Sequence, residues 1–426
     1  MTELKPNEKI NLTNGSSAVI IKELGRGGQG IVYLVELAGQ KMALKWYINA
    51  PGKAFYKNLE ENIAGGAPSE AFLWPEYLTK KQKGSYGYIM KLRPQGYYEF
   101  GHFLLAKVQF KSFEAITNAA MKICEGFKDL HLRGFSYQDL NDGNFFINPE
   151  NGDVLICDND NVFPQGDVSG IMGKARYMAP EIVTGKAMPD KFSDRVSLSV
   201  VLFMLFYANH PLEGSRVLAC PCMTEAFEKK FYGEDAIFIY DPNKAENRPV
   251  RGVHNNVIKR WPAFPAVLRD AFIKEFSEDC LKNPNKRMIE AEWQKVIQQV
   301  RDILVCCPLC NSETFVDNAD APKCMNCSKP FTVPGKLSLA GKREILLTPN
   351  TRIYIDLDNN PDIEVFSVPG DRYPVQLRNL TPFKWTAETP SGRLRAIEPQ
   401  GTMPVKAGLK VSIIATNNSS HKGEII

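Results

Sequence analysis

Cys307-Pro-Leu-Cys310 and Cys324-Met-Asn-Cys327 stand thirteen residues apart. Two CxxC pairs at such a spacing put four thiolates on two short knuckles, where they can close a tetrahedral Zn²⁺ site. A site built only of thiolates has no open position, so the metal it implies is structural. Redox CxxC chemistry and coincidence are the competing readings. Five of the ten cysteines fall between residues 306 and 327, which in a reducing compartment suggests metal before disulfide. Cys306 is a spare, and Cys220-Pro-Cys222 lacks a second pair, so both are read as non-ligands. This unit divides the chain into residues 1–303, a zinc ribbon at 304–334 that acts as a folded spacer, and a tail at 335–426.

At 426 residues, with 44% apolar and 23% charged residues, the chain exceeds what one core usually serves. A net charge of +4 with interspersed signs implies no polyanion-binding surface and disfavours nucleic acid as a partner. MTELKPNEKI has none of the basic-then-apolar order of a signal peptide. The most apolar run, LSVVLFMLFYA, is about half the length needed to span a bilayer and reads as a buried helix. The expectation is a cytoplasmic protein with no membrane partner.

From residue 16, AVIIKELGRGGQGIVYLVEL, a turn at AGQ and KMALKWYIN read as three antiparallel strands with a glycine-rich first turn. KAFYKNLEENIA has helical spacing and SYGYIMKLRP returns to a strand. SFEAITNAAMKICEGFKDLHLRG is a long amphipathic helix, and the chain stays mostly helical to residue 303. In the tail, EILL, RIYIDL, IEVF, PVQLRNL and LKVSII alternate with turn residues in the rhythm of a β-sandwich. The fold class expected is multidomain α+β: a bilobal front, a zinc ribbon and a small β-sandwich.

Chemistry concentrates in the front segment. Gly25, Gly27, Gly28 and Gly30 sit between two strands, where backbone N–H groups can approach phosphate, although a plain hairpin turn has the same composition. Lys45 ends an apolar strand, and a helix that can supply a carboxylate follows it. In LEENI, Glu61 is expected to face the core with Leu59 and Ile63 and to hold Lys45, with Glu60 as the alternative. The order of glycine-rich loop, strand Lys, helix Glu, YQDLNDGN, an Asp after a short strand and RYMAPE resembles the protein kinase fold over residues 16 to 303. The resemblance implies that Asp139 is the catalytic base, that Asn144 and Asp158 hold Mg²⁺ or Mn²⁺, and that Leu24, Val32, Ala43, Met90, Leu92 and Phe146 contact ATP. It also pairs Arg287 with Glu181 and sets Asp194 under the catalytic loop.

The departures from the family pattern carry information. Tyr137 and Gln138 replace His-Arg before the base, so control by activation-loop phosphorylation is not expected. DFG has become DND, leaving Asp160 as an extra metal ligand or a turn residue. Asn141 replaces the catalytic-loop Lys, and Lys174 occupies the position of the Thr in the family's GT pair. The cation is therefore expected to have moved from position 141 to 174. The alternative for Lys174 is a solvated loop residue.

VQLRNLTPFKWTAETPSGRLRAIEPQGTMPVKAGLKVSI resembles a forkhead-associated (FHA) domain. A likeness of fold does not grant phosphopeptide binding, so a partner-docking module is expected. The three-part order is similar to bacterial kinases of the tellurite-resistance-associated (TerY) phosphorylation triad. That resemblance implies a von Willebrand A-domain protein and a PP2C-type phosphatase as partners. The function implied is a Ser/Thr protein kinase acting on a protein substrate; the alternatives are an ATP-binding pseudokinase scaffold and a small-molecule phosphotransferase.

Overall fold

The structure, a computed structural model, describes residues 3–167 and 173–426. Its first layer is a six-stranded sheet in the order β1-β2-β3-β4-β6-β5. The strands are β1 (Lys9–Asn11), β2 (Ser17–Arg26), β3 (Gly30–Leu37), β4 (Gln40–Tyr47), β5 (Pro75–Leu78) and β6 (Gly87–Lys91). β-Branched and aromatic residues on β2 to β4, including Ile20, Ile31, Tyr33, Val35 and Trp46, bury one face of this sheet. Helix α1 (Lys53–Gly65) packs on the other, through Phe55 and Leu59.

A short helix α2 (Phe100–Leu104) leads into the second layer, whose pillars are α3 (Phe113–Leu132) and, after the short α4 (Pro180–Val183), α5 (Lys191–Tyr207). Ser112 caps α3 by accepting from Ala115 N at 3.0 Å, and Ile116, Ala119, Ala120, Ile123, Phe127 and Leu130 repeat at helical spacing along its buried face. The run LSVVLFMLFY is buried on every side in α5, as expected of a core helix. Asp190 and Ser193 form a reciprocal capping box at its start, and Ala208 ends it in the left-handed conformation with φ 50°.

Beyond residue 303, Leu304–Cys306 pairs antiparallel with Glu313–Phe315, and the four cysteines follow from the two ends of this hairpin region. The tail forms two sheets over one core: six strands including Gly335–Leu339, Lys410–Ile414 and Ser420–Ile425, and four including Ile363–Ser367 and Val375–Asn379. Trp385 lies at its centre, its indole N–H shared between Thr381 Oγ1 at 3.1 Å and Ile414 O at 3.2 Å.

One expectation is corrected here. The cysteine unit is not a spacer that holds the sandwich away from the helical layer. Arg301, at the end of the helix Glu290–Asp302, reaches Asp358 O and Asn118 Oδ1, each at 2.7 Å, and its guanidinium stacks 4.3 Å from the Tyr354 ring. Asp302 pairs with Arg343 through two contacts of 2.7 Å, and Tyr354 donates to Glu114 at 2.6 Å. The sandwich is therefore packed directly on α3 and the helix Glu290–Asp302. Sequence periodicity describes each unit's own core and carries no sign of such contacts between units.

Candidate active site

The cleft between the two layers is assembled from β2 to β4, α1 and two loops. The glycine-rich turn closes with Gly27 N donating to Gly30 O at 2.9 Å. Around Gly25 and Gly28 a side chain would meet nothing, so the turn is open on that side. Gly30 differs, because a Cβ there would lie 2.7 Å from Trp46 O; its small size serves strand packing. Val32, Ala43, Met90, Leu92 and Phe146 gather in one cluster, joined by Leu155 and Cys157, which sequence reasoning missed. Leu24 stands apart at 45% exposure.

Lys45 lies buried at the cleft floor, and its partner is not the expected one. Its Nζ donates to both oxygens of Asp160 at 2.9 Å and to Asp158 Oδ1 at 3.3 Å. Glu61 is exposed and pairs with Lys57 at 3.2 Å, and Glu60 is exposed as well. The expected Lys45–Glu61 pair therefore does not form. At 100° per residue, position 61 lies on the opposite side of the helix from 59 and 63. The face turned inward carries Asn58 and Asn62 instead, and both side-chain amides donate to Val162 O, at 2.8 and 2.9 Å. Burial alone would lower the Lys45 ammonium pKa, but Asp160 and then Asp158 hold it above its ordinary value.

Between the two-residue strand Phe135–Ser136 and the hairpin of Phe145–Ile147 with Val154–Ile156 runs the loop that carries Asp139. Asp194 fixes this loop from below, accepting from Tyr137 N at 2.7 Å and Gln138 N at 3.3 Å. His131 braces Asp194 in turn, with Nε2 at 3.1 Å from Asp194 Oδ2 and Nδ1 at 2.8 Å from Glu290 Oε1. Tyr137 reaches across to Cys157 O, and Gln138 donates to Asp167 O at 2.7 Å. Asn141 links three groups: its Nδ2 donates to Asp139 O at 3.0 Å, and its Oδ1 accepts from Gly143 N at 3.0 Å and from Lys174 Nζ at 2.9 Å. Gly173, at φ 75°, passes so close that a Cβ would lie 3.2 Å from Asp139 Oδ1. Burial pushes the Asp139 carboxyl above its ordinary value; Lys174 opposes the rise and Asp158 adds to it.

Asp158 adopts the left-handed conformation at φ 58°, with 46% of its side chain accessible. Asn144 is buried, and its Oδ1 accepts from Asn141 N at 2.7 Å, leaving a second lone pair. These hard oxygen donors fit a small divalent cation such as Mg²⁺. Arg287 and Glu181 form a two-pronged pair, both contacts at 2.7 Å. Farther along the chain, Sγ atoms of Cys307, Cys310, Cys324 and Cys327 lie within 4.8 Å of one another. The pairs Cys310–Cys324 at 3.6 Å and Cys307–Cys327 at 4.0 Å approach the roughly 3.8 Å edge of a tetrahedral Zn–S₄ site. Asn326 N also points at Cys324 Sγ, at 3.3 Å, so the donor set fits Zn²⁺.

A family model described as the protein kinase domain matches residues 18–298, more than half of the chain. The chain is 28% identical to mouse (Mus musculus) protein kinase C delta type over 204 residues, 45% of this chain and 29% of that protein. It is 26% identical to the human (Homo sapiens) protein of the same name over 219 residues, 49% of this chain and 31% of that protein. Over 217 residues it is 24% identical to the serine/threonine-protein kinase Pkn1 of Myxococcus xanthus, covering 47% of this chain and 30% of that one. The chain thus spans less than a third of the length of these relatives. Since the matched span contains the strand layer, the helical layer and the cleft between them, the chain belongs to the protein kinase family.

Proposed function

We propose that the chain is a serine/threonine protein kinase that transfers the γ-phosphoryl group of ATP, with Mg²⁺ or Mn²⁺, to a protein substrate. The observation that carries this reading is the convergence of Lys45, Asp158 and the Asp139–Asn141–Lys174 cluster on one cleft. Phosphoryl transfer needs positioning and charge stabilisation more than covalent help, and these groups supply both. Gly25, Gly27 and Gly28 cover the phosphates, with Lys45 as their clamp. Asp139 orients the substrate hydroxyl, Asn144 and Asp158 hold the metal, and Lys174 supplies the cation that position 141 lacks. Val32, Ala43, Met90, Leu92 and Phe146 form the adenine slot, with Leu24 at its rim. Gln138, whose side chain donates to a backbone carbonyl, favours a kinase not switched by activation-loop phosphate.

The domain reading is a kinase at 1–303, a zinc ribbon at 304–334 and an FHA-like sandwich at 335–426, as in bacterial kinases of the TerY triad. It is supported by the thiolate cluster and the two-sheet tail. The von Willebrand A-domain and PP2C-type partners follow from that resemblance alone. Among the described residues no helix is long and apolar enough to cross a membrane; a cytoplasmic site of action is part of the proposal. Mass spectrometry of the chain and a host lysate after incubation with Mg·ATP tests the reading. New phosphoserine or phosphothreonine is expected; phosphate found only on small molecules would refute a protein kinase. A scaffold pseudokinase is the second reading, favoured by the extensive docking of the sandwich on the helical layer.

A further inference from the structure

We infer that Asp160, not a carboxylate of helix α1, is the residue that positions Lys45 for the phosphates of ATP. The inference deepens the kinase reading and rests on it for the role of Lys45. Both Asp160 oxygens lie 2.9 Å from Lys45 Nζ. Tyr47 donates to the same carboxylate at 2.6 Å and Tyr88 at 3.2 Å. With its side chain wholly buried, Asp160 is held by three donors and has no route to solvent. A buried ion pair fully supplied with hydrogen bonds keeps its geometry, because separating it would leave two charges unpaired in a poorly polarisable interior.

Asp158 also touches Lys45, but its longer contact of 3.3 Å and half-accessible side chain suit a group that turns to a metal when nucleotide enters. Lys45 then keeps Asp160. On the other side, α1 offers the cleft two amides and no carboxylate, and both amides grip Val162 O, two residues beyond Asp160. Helix α1 thus holds the loop, and the loop holds the lysine. The third residue of DND, read from sequence as a metal ligand or a turn residue, takes the place of the helix glutamate. Lys45 is consequently set before any movement of α1.

The test is binding of ATP, in the presence of Mg²⁺, and of adenosine to the full chain by calorimetry, with phosphate transfer measured separately on each protein. Asp160→Asn is expected to weaken ATP by about tenfold or more, as for loss of a charged partner, and to leave adenosine within about twofold. Glu61→Gln, which alters only a surface pair with Lys57, should match wild type for both ligands. In a Lys45→Met background, Asp160→Asn should add little further loss of ATP. Equal loss of ATP and adenosine would mean a structural role and overturn the inference. So would full ATP affinity in Asp160→Asn, a loss in Glu61→Gln as large, or a wild type that does not bind ATP. If Asp160→Asn does not fold, Tyr47→Phe with Tyr88→Phe loosens the same carboxylate and should again weaken ATP selectively; unchanged affinity would count against the proposal. Wild type that binds ATP with this pattern yet transfers no phosphate refutes the kinase reading and leaves the role of Asp160 standing.

Discussion

On the proposed reading, Lys174 and Asn141 divide between them the work of one residue. Asn141 keeps the hydrogen bonds that shape the loop, while Lys174 reaches its Oδ1 from the segment that follows Gly173. Lys174→Ala is expected to lower kcat by about ten- to a hundredfold with little change in KM for ATP, since a cation of this kind acts on charge that develops in the transition state. Steady-state kinetics would show it, and an unchanged kcat would reduce Lys174 to a loop lysine. His131 is the structural counterpart beneath the loop. Burial would lower its pKa, but hydrogen bonds to Asp194 and Glu290 raise it to about 9. The folded value lies above the unfolded one of about 6.5, so this contribution is complete below that pH and is lost as pH rises through about 9. Denaturant midpoints measured from pH 6 to 10 should fall over that window in the wild type and less so in His131→Gln.

Helix α3 shows how elements recruit support from far along the chain. Besides Ser112, its first turn is capped by Glu313, whose carboxylate accepts from Phe113 N and from Glu114 N, the latter at 3.2 Å. A carboxylate at a helix N-terminus satisfies free N–H groups and opposes the helix dipole. Glu313→Gln should therefore cost about 1 kcal/mol of stability, read as a lower Tm, without altering nucleotide affinity. The strands β2 to β4 and the helices α3 and α5 were legible in the sequence, because alternation, apolar periodicity and capping residues are written locally. The loop Asp139–Asn144 was legible by its order and its company. The inward face of α1 was misread because LEENI was treated as if alternate residues shared a helix face. Asn58, Asn62 and Asp160 could have been found by asking which polar residues lie in phase with Phe55 and Leu59, and why the glycine position of the DFG-like motif carries a second carboxylate. The contact between Glu313 and α3 spans 200 residues, and no local pattern announces it.

At the scale of the molecule, the three units share load. Arg301 is buried and bonds to both α3 and the loop at 358–359, and burial lowers its guanidinium pKa to about 10. Arg301→Ala removes these bonds and leaves buried acceptors on both sides, at a cost of roughly 3 kcal/mol. Calorimetry should then resolve the tail's unfolding from that of the helical layer. If the thiolate cluster holds Zn²⁺, chelation should likewise lower the first melting transition, because metal affinity is folding free energy in such a unit. Both effects belong to architecture, whereas the claim that unites cleft, loop and family is phosphoryl transfer. The most direct test is transfer of labelled γ-phosphate from ATP, with Mg²⁺ and then Mn²⁺, by wild type and by Asp139→Asn of matched stability. Labelling of the chain or of lysate proteins that falls at least about a hundredfold in the variant is the predicted result. Labelling that persists in Asp139→Asn, or ATP binding without transfer in either metal, would contradict it.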